Sequence, residues 1–380
     1  MTFVGFIGVL IGLLAWRFAF IDRSRTRIAV FLLVFGLHIA TAVVYYFWVQ
    51  TTSADTVLYY YDVYNFYGTG FGMGTMFTIY AVQALKESIG GTYLDYFLLF
   101  QAFGFWGIVF LMRTLEEIYA ELQTPQPAYA YLLLFLPGIH FWSSAIGKDA
   151  PLFLASSICV WASMHIGRRW PMFAFAIVLM VLFRPYIALV ALAALALTVV
   201  LDARVGKFIK IGLFGLAVGG LIFVLGTVQS TFNVDVTNAE SVGDFFQRQS
   251  EMAEQDEGGS AVVGASFPVR VLSLLFRPFF IDSGGAFGLI ASLENLVLLV
   301  VIFTILRRFR TAVSLFRSAF FVRFSILFAL ALIVLLSLVY YNVGLGLRQK
   351  IMFMPALLTL FAATLAVRRV RNQALVPSRV

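Results

Sequence analysis

The sequence predicts an all-α, polytopic membrane protein with about eleven transmembrane helices, joined by outer interfacial or re-entrant helices. Three observations carry that expectation. The 380-residue chain is 61% hydrophobic and only 12% charged, with a mean hydropathy of +0.93, whereas an average soluble chain is about a quarter charged. Apolar runs of roughly 18–22 residues, the length a bilayer demands, recur from one end to the other. Basic residues gather in alternate short loops, the pattern of cytoplasmic loops. The net charge of +8 therefore belongs to topology and argues against a nucleic-acid partner. Residues 1–380 read as a single integral membrane domain, with no internal repeat and no second soluble unit. The single cysteine, Cys159, lies in an apolar run, which excludes an internal disulfide and a Cys-based metal site. The first run lacks a basic leader and a small-residue cleavage site, so it reads as a retained span.

Taken in order, the first run, Phe3–Phe20, ends at the basic turn Asp22–Arg27. The second, Ile28–Val49, leads to an outer segment, Gln50–Gly74, with two aspartates, many tyrosines and no Lys or Arg. Thr75–Ser88 is amphipathic and too short to span, so it is expected at the outer interface. The third run is Tyr93–Met112, followed by an inner segment, Arg113–Ala128. The fourth, Tyr129–Trp142, is short, contains Pro137, and delivers SSAIGKDA to the outside. Leu152–Ile166 returns to Arg168-Arg169, Pro171–Phe183 ends outside at Arg184-Pro185, and Ile187–Leu201 and Ile211–Val228 follow. The loop at 229–285 is expected to be extracytoplasmic, acidic from Asp235 to Glu257 and then amphipathic around Arg270 and Arg277. Leu289–Leu306, Phe320–Tyr341 and Ile351–Val367 complete the set, with Arg348 and Lys350 in an outer, glycine-containing turn. The N-terminus falls outside and the C-terminus inside.

The stretch Pro137–Pro151, PGIHFWSSAIGKDAP, places a histidine, two serines and the Lys148–Asp149 pair between two apolar runs. A charge at the centre of a span costs about 2.5–3.5 kcal/mol on insertion scales, so such groups face protein-lined cavities. The outward acids Asp55, Asp62, Asp95, Asp149 and Asp282, with those of the long loop, and the outward cations Lys86, Lys148, Arg184, Arg270, Arg277, Arg348 and Lys350 fall on the same side. Cations there suit a phosphate or pyrophosphate, arginine through its planar fork and lysine as a point charge. A carboxylate there suits a general base. Tyr59, Tyr60, Tyr61, Tyr64, Tyr67 and Trp142 offer flat faces for sugars, with His140 and Asp149 beside them, although Tyr and Trp concentrate at membrane interfaces whatever the function. Lys148–Asp149 also reads as a local ion pair, Arg348 and Lys350 as snorkelling cations, Asp55 as a helix cap, and His38 and His140 as hydrogen-bonded span residues. TGFGMG at Thr69–Gly74 follows no strand and is rejected as a nucleotide loop.

Three blocks carry a resemblance. ADTVLYYYDVY with GTMFTIYAVQALKESIGG, LLLFLPGIHFWSSAIGKDAPLFL with LFRPYIAL, and NVGLGLRQKIMFMPALL resemble the EpsG-like exopolysaccharide polymerases and, more broadly, Wzy-type polymerases and GT-C glycosyltransferases. FRPFFIDSGGAFGLIASLENL is similar to membrane proteins of polysaccharide gene clusters. The chain departs from the pattern in Asp149 after the basic residue of the second block and in RQK in the third. The resemblance implies Asp55 or Asp62 as base, and Lys148, Arg184 and Arg348 as phosphate ligands, with Asp149, Arg277 and Lys350 as weaker additions. It implies polymerisation of lipid-linked oligosaccharide repeats on the outer face of the bacterial inner membrane, with a polyprenyl-pyrophosphate-linked glycan as substrate and other polysaccharide-assembly proteins and membrane lipids as partners. The alternatives are addition of one sugar from a polyprenyl-phosphate donor, transport of a lipid-linked glycan, and a purely structural membrane subunit. No cofactor is required by the sequence; two outer aspartates permit a divalent metal.

Overall fold

A computed structural model describes residues 2–21, 24–52, 54–202, 265–340 and 342–374, with scattered positions between 206 and 251. The regular structure of these residues is entirely helical. The expected span Ile211–Val228 and the acidic stretch Asp235–Glu257 lie outside the continuously described residues. In chain order the helices are α1 (Phe3–Leu14), α2 (Trp16–Ala19), α3 (Arg25–Trp48), α4 (Asp55–Tyr61), α5 (Thr75–Ile89) and α6 (Tyr93–Glu121). Then come α7 (Ala128–Leu132), α8 (Pro137–Trp142), α9 (Asp149–Met164), α10 (Ile166–Phe183) and α11 (Pro185–Val200). After the partly described region come α12 (Phe267–Phe276), α13 (Ala286–Arg307), α14 (Phe309–Ser318), α15 (Phe320–Val339), α16 (Val343–Lys350) and α17 (Met354–Ala374).

Five helices, α3, α6, α10, α13 and α15, are long and apolar enough to cross a membrane, and α16 with α17 adds a sixth if that bent pair is one span. The described residues are thus all-helical, as in a polytopic membrane protein, but helix length among them does not yield about eleven spans. The difference lies in short apolar helices, in the broken segment Tyr129–Trp142, and in Ile211–Val228, which is outside the continuously described residues. At 1.5 Å per residue, the 16 residues of α9 or α11 reach about 24 Å, less than the ~30 Å hydrocarbon core.

Three expected boundaries also change. The third span continues past Met112 to Glu121, because Glu116 and Glu117 are not in a solvated loop but buried against cations. The fourth breaks into α7, a 3-10 turn at Leu133–Phe135, and α8. Leu136, extended at φ −60 and ψ 119, precedes Pro137 at the first position of α8, as the proline ring disfavours helix in the residue before it. Arg348 and Lys350 lie in helix α16, not in a turn, and α16 bends by 56° into α17.

The 29-residue α6 is the axis, with α1, α3, α9 and α17 packed around it. Lipid tails are as apolar as leucine, so burial alone does not hold spans together; close packing and interhelical hydrogen bonds do. Glycine supplies the closeness. A Cβ at Gly8 of α1 would lie 2.1 Å from the Leu98 carbonyl oxygen, and one at Gly104 of α6 would lie 1.9 Å from that of Ser143. Asp95, in the first turn of α6, accepts from the backbone N–H of Thr92 at 2.8 Å and of Thr2 at 2.7 Å, pinning the start of the chain there.

The bundle carries charge at its two ends. At one, Glu117 accepts from Arg113 at 2.7 Å and Arg169 at 2.8 Å, Glu116 pairs with Arg27 at 2.8 Å, and Asp202 pairs with Arg323 at 3.6 Å. These are the basic segments that the charge pattern groups on one side. At the other end lie α4, the start of α9, the junction of α10 with α11, and α16.

Candidate functional site

A cavity of about 650 Å³ opens among those elements. Asp55, Asp149 and Arg348 supply its charge, and Tyr45, Trp48, Tyr64 and Trp142 are among its aromatic walls. Four separate stretches deliver the charged groups. Asp55 stands in the first turn of α4 and Asp149 in the first turn of α9, where a helix dipole favours a carboxylate. Arg184 closes α10, held by its N–H to Met180, with Pro185 opening α11. Arg348 comes from the last turn of α16.

Arg348 joins the two acids. Its Nη1 donates to Asp55 Oδ2 at 2.7 Å and its Nε donates to Asp149 Oδ2. Arg184 Nη2 donates to the other oxygen of Asp149 at 3.3 Å. The Asp149 side chain is only 7% exposed, whereas that of Asp55 is 51% exposed. Asp149 is therefore a buried anchor for two arginines, and Asp55 is the carboxylate presented to the cavity. Burial pushes the Asp55 carboxyl up, but Arg348, then Lys148 and Arg184, outweigh it and hold it below the usual value. Lys148 donates to Thr75 Oγ1 at 2.9 Å at the start of α5. Burial, reinforced by Arg184 and Arg348, lowers the Lys148 ammonium to about 8. Three cations thus face two carboxylates, leaving an excess positive charge for an anion.

Of the residues expected at a site, Asp55, Asp149, Arg348 and Trp142 line the cavity, with Arg184 and Lys148 directly behind. Tyr59 is fully buried behind it, its ring 3.2 Å from where a Cβ would stand on Gly147. The others are elsewhere. Asp62 takes a left-handed conformation at φ 49 and accepts from the N–H groups of Phe66 at 2.7 Å and Tyr67 at 2.8 Å, so its carboxylate closes a turn. Tyr60 donates to the Gly91 carbonyl at 2.9 Å and lies under Lys86. Arg277 pairs with Asp282 at 2.5 Å. Lys350, two residues from Arg348 and so on the far side of α16, donates to Asn295 Oδ1 at 2.6 Å and to the Arg277 carbonyl at 3.0 Å.

His140, similarly two residues from Trp142, meets His38 with Nδ1 to Nδ1 at 3.2 Å. The two Nε2 atoms face the carbonyls of Leu134 at 2.8 Å and Gln101 at 3.0 Å. Three such contacts use three N–H groups, and two neutral rings supply two.

Sequence reasoning missed Tyr45 and Trp48, which resemble interfacial aromatics, and Asn342, which also lines the cavity. It also missed Glu294, which accepts from the Gly138 N–H inside the bundle. The signal was an acid and an amide, Glu294-Asn295, in the middle of an apolar run. As for a metal, Asp55 and Asp149 share one arginine, and among the described residues no group of three His, Cys, Asp or Glu side chains converges. The chain matches no protein-family model, no curated protein and no solved structure.

Proposed function

We propose that the protein transfers a glycan from a polyprenyl-pyrophosphate carrier onto a second lipid-linked glycan, polymerising oligosaccharide repeats at the extracytoplasmic face of a bacterial inner membrane. In this reading the short apolar helices complete a topology of about eleven spans. The observation that supports it most is the bridge from Asp55 through Arg348 to Asp149 and Arg184 beside an aromatic-walled cavity.

The chemistry follows from those groups. The acceptor hydroxyl attacks the anomeric carbon, a new carbon–oxygen bond forms, and the bond to pyrophosphate breaks. The hydroxyl proton passes to Asp55, and the electron pair of the broken bond leaves on the pyrophosphate. At rest Asp55 is a weak base because Arg348 holds it. An arriving pyrophosphate competes for the Arg348 fork, loosening that hold and restoring basicity where the acceptor hydroxyl lies. Arg348, Arg184 and Lys148 then stabilise the charge that develops on the leaving group, the kind of preorganised electrostatic term that dominates many enzymes. Addition of one sugar from a polyprenyl-phosphate donor would use the same groups, with a monophosphate as the leaving group and a single added sugar as the product.

One feature favours transport instead: the 56° bend between α16 and α17, since broken helices form the binding sites of many transporters. Purified protein in nanodiscs with a lipid-linked oligosaccharide pool separates the readings. A ladder of lengths in the wild type, abolished by Asp55→Asn and weakened by Lys148→Ala, supports polymerisation; a single added sugar supports the simpler transferase. No new glycosidic bond, together with movement of the lipid-linked glycan between leaflets, refutes both.

A further inference from the structure

At the opposite end of the bundle a second cavity, of about 890 Å³, is formed where α13 meets α14. Its lining is Phe303, Thr304, Arg307, Arg308, Phe309, Arg310, Thr311 and Val367. Three of these eight residues are arginines and, among the described residues, none of the lining is acidic, so the described lining carries cationic charge. Arg307 and Arg310 are exposed. Around them Phe303 is 61% exposed, Leu306 62% and Phe309 63%.

In water such an exposed apolar rim is a liability, whereas acyl chains are suited to cover it. The 10-residue α14 is too short to span. It alternates exposed Phe309, Arg310 and Arg317 with buried Ala312, the pattern of a helix lying in the interfacial plane. Arg323 ties its far end down by donating to the carbonyls of Phe316 at 2.9 Å and Arg317 at 2.8 Å. The cavity thus combines exposed guanidinium groups with an apolar rim beside a helix of interfacial type.

We infer that this cavity binds the phosphodiester headgroup of an anionic phospholipid from the leaflet at that end, with the acyl chains running down past Leu306 and Phe303. Guanidinium groups match phosphate oxygens two at a time, which a general positive surface does not. None of this depends on the chemistry proposed at the other end, and the mechanism above uses none of these residues.

The test uses the full chain in nanodiscs of phosphatidylcholine mixed with phosphatidylglycerol. After re-extraction, retained lipid is counted by native mass spectrometry. Phosphatidylglycerol is expected to be enriched over phosphatidylcholine. Arg307→Gln and Arg310→Gln are each expected to cut that enrichment about tenfold, the value of a charge-assisted hydrogen bond to the phosphate. Arg307→Lys and Arg310→Lys keep the charge, guard against misfolding, and should fall between because they lose the fork. Arg317→Gln, on the same helix but outside the cavity, should retain the wild-type ratio. An equal loss in Arg317→Gln would mean a diffuse charge effect and overturn the site. So would enrichment of neither lipid, or displacement of phosphatidylglycerol by millimolar inorganic phosphate, which would make the ligand a free anion. An acidic protein recovered in place of lipid would overturn it as well.

Discussion

Asp149 and Asp55 both touch Arg348, yet replacing them by asparagine is expected to have opposite consequences for stability and activity. Asp149 has a 7% exposed side chain set between Arg348 and Arg184, the latter with an 8% exposed side chain. Removing one member of a buried charge pair costs about 3–5 kcal/mol. Asparagine keeps one acceptor oxygen, so the lower end, about 3 kcal/mol, applies to Asp149→Asn. The Asp55 carboxylate is 51% exposed, and an exposed pair is worth about 1 kcal/mol or less. The gap of about 2 kcal/mol is roughly thirtyfold in the folding equilibrium. On the proposed mechanism activity should reverse the order, since loss of a general base costs about 10²–10⁴ in rate. The assay is reversible unfolding in mixed detergent micelles beside glycan transfer, with Arg348→Gln and the double variant Asp149→Asn/Arg348→Gln closing a cycle. The reasoning fails if both aspartates prove equally costly to stability, or if Asp149 and Arg348 contribute additively.

Three further outcomes are expected. Because burial holds Lys148 at about 8 in the folded chain, the unfolded chain binds its proton up to about 10.5. Keeping that charge buried therefore costs stability below pH 8, and the cost fades as pH rises from about 8 toward 10.5. For the same reason KM for a pyrophosphate-linked donor should rise as pH passes 8, and Lys148→Arg should flatten that profile. Gly104→Ala drives a methyl to within 1.9 Å of the Ser143 carbonyl and is expected to cost about 1–3 kcal/mol by pushing away the segment that carries Lys148. Gly36→Ala, which meets nothing within 4 Å, is its control in the same unfolding assay. Glu294→Gln preserves an acceptor for the Gly138 N–H and should be tolerated. Glu294→Ala strands that buried donor and should cost about 1–3 kcal/mol; equal effects of the two variants would mean that the charge of Glu294, not its hydrogen bond, matters.

Composition and apolar run length by themselves determined that this is a helical membrane protein, because span length and backbone satisfaction in lipid are local requirements. Most span starts were legible to within a few residues, as for α13 and α15. Asp55, Lys148, Asp149, Arg184 and Arg348 were legible as misplaced charges, since a charge in an apolar chain stands out one residue at a time. Their geometry was not. That one arginine joins Asp55 to Asp149 depends on residues 293 and 199 positions apart in the chain, and no local pattern encodes such a distance. Only tertiary structure separated Arg348 from Lys350, Trp142 from His140 and Asp55 from Asp62. In the first two cases helical rotation turns residues two apart to different faces; in the third a left-handed turn spends the carboxylate on its own backbone. Tertiary packing also decided where the helices break, because a short helix such as α8 holds its place through Glu294 and His38, partners contributed by α13 and α3.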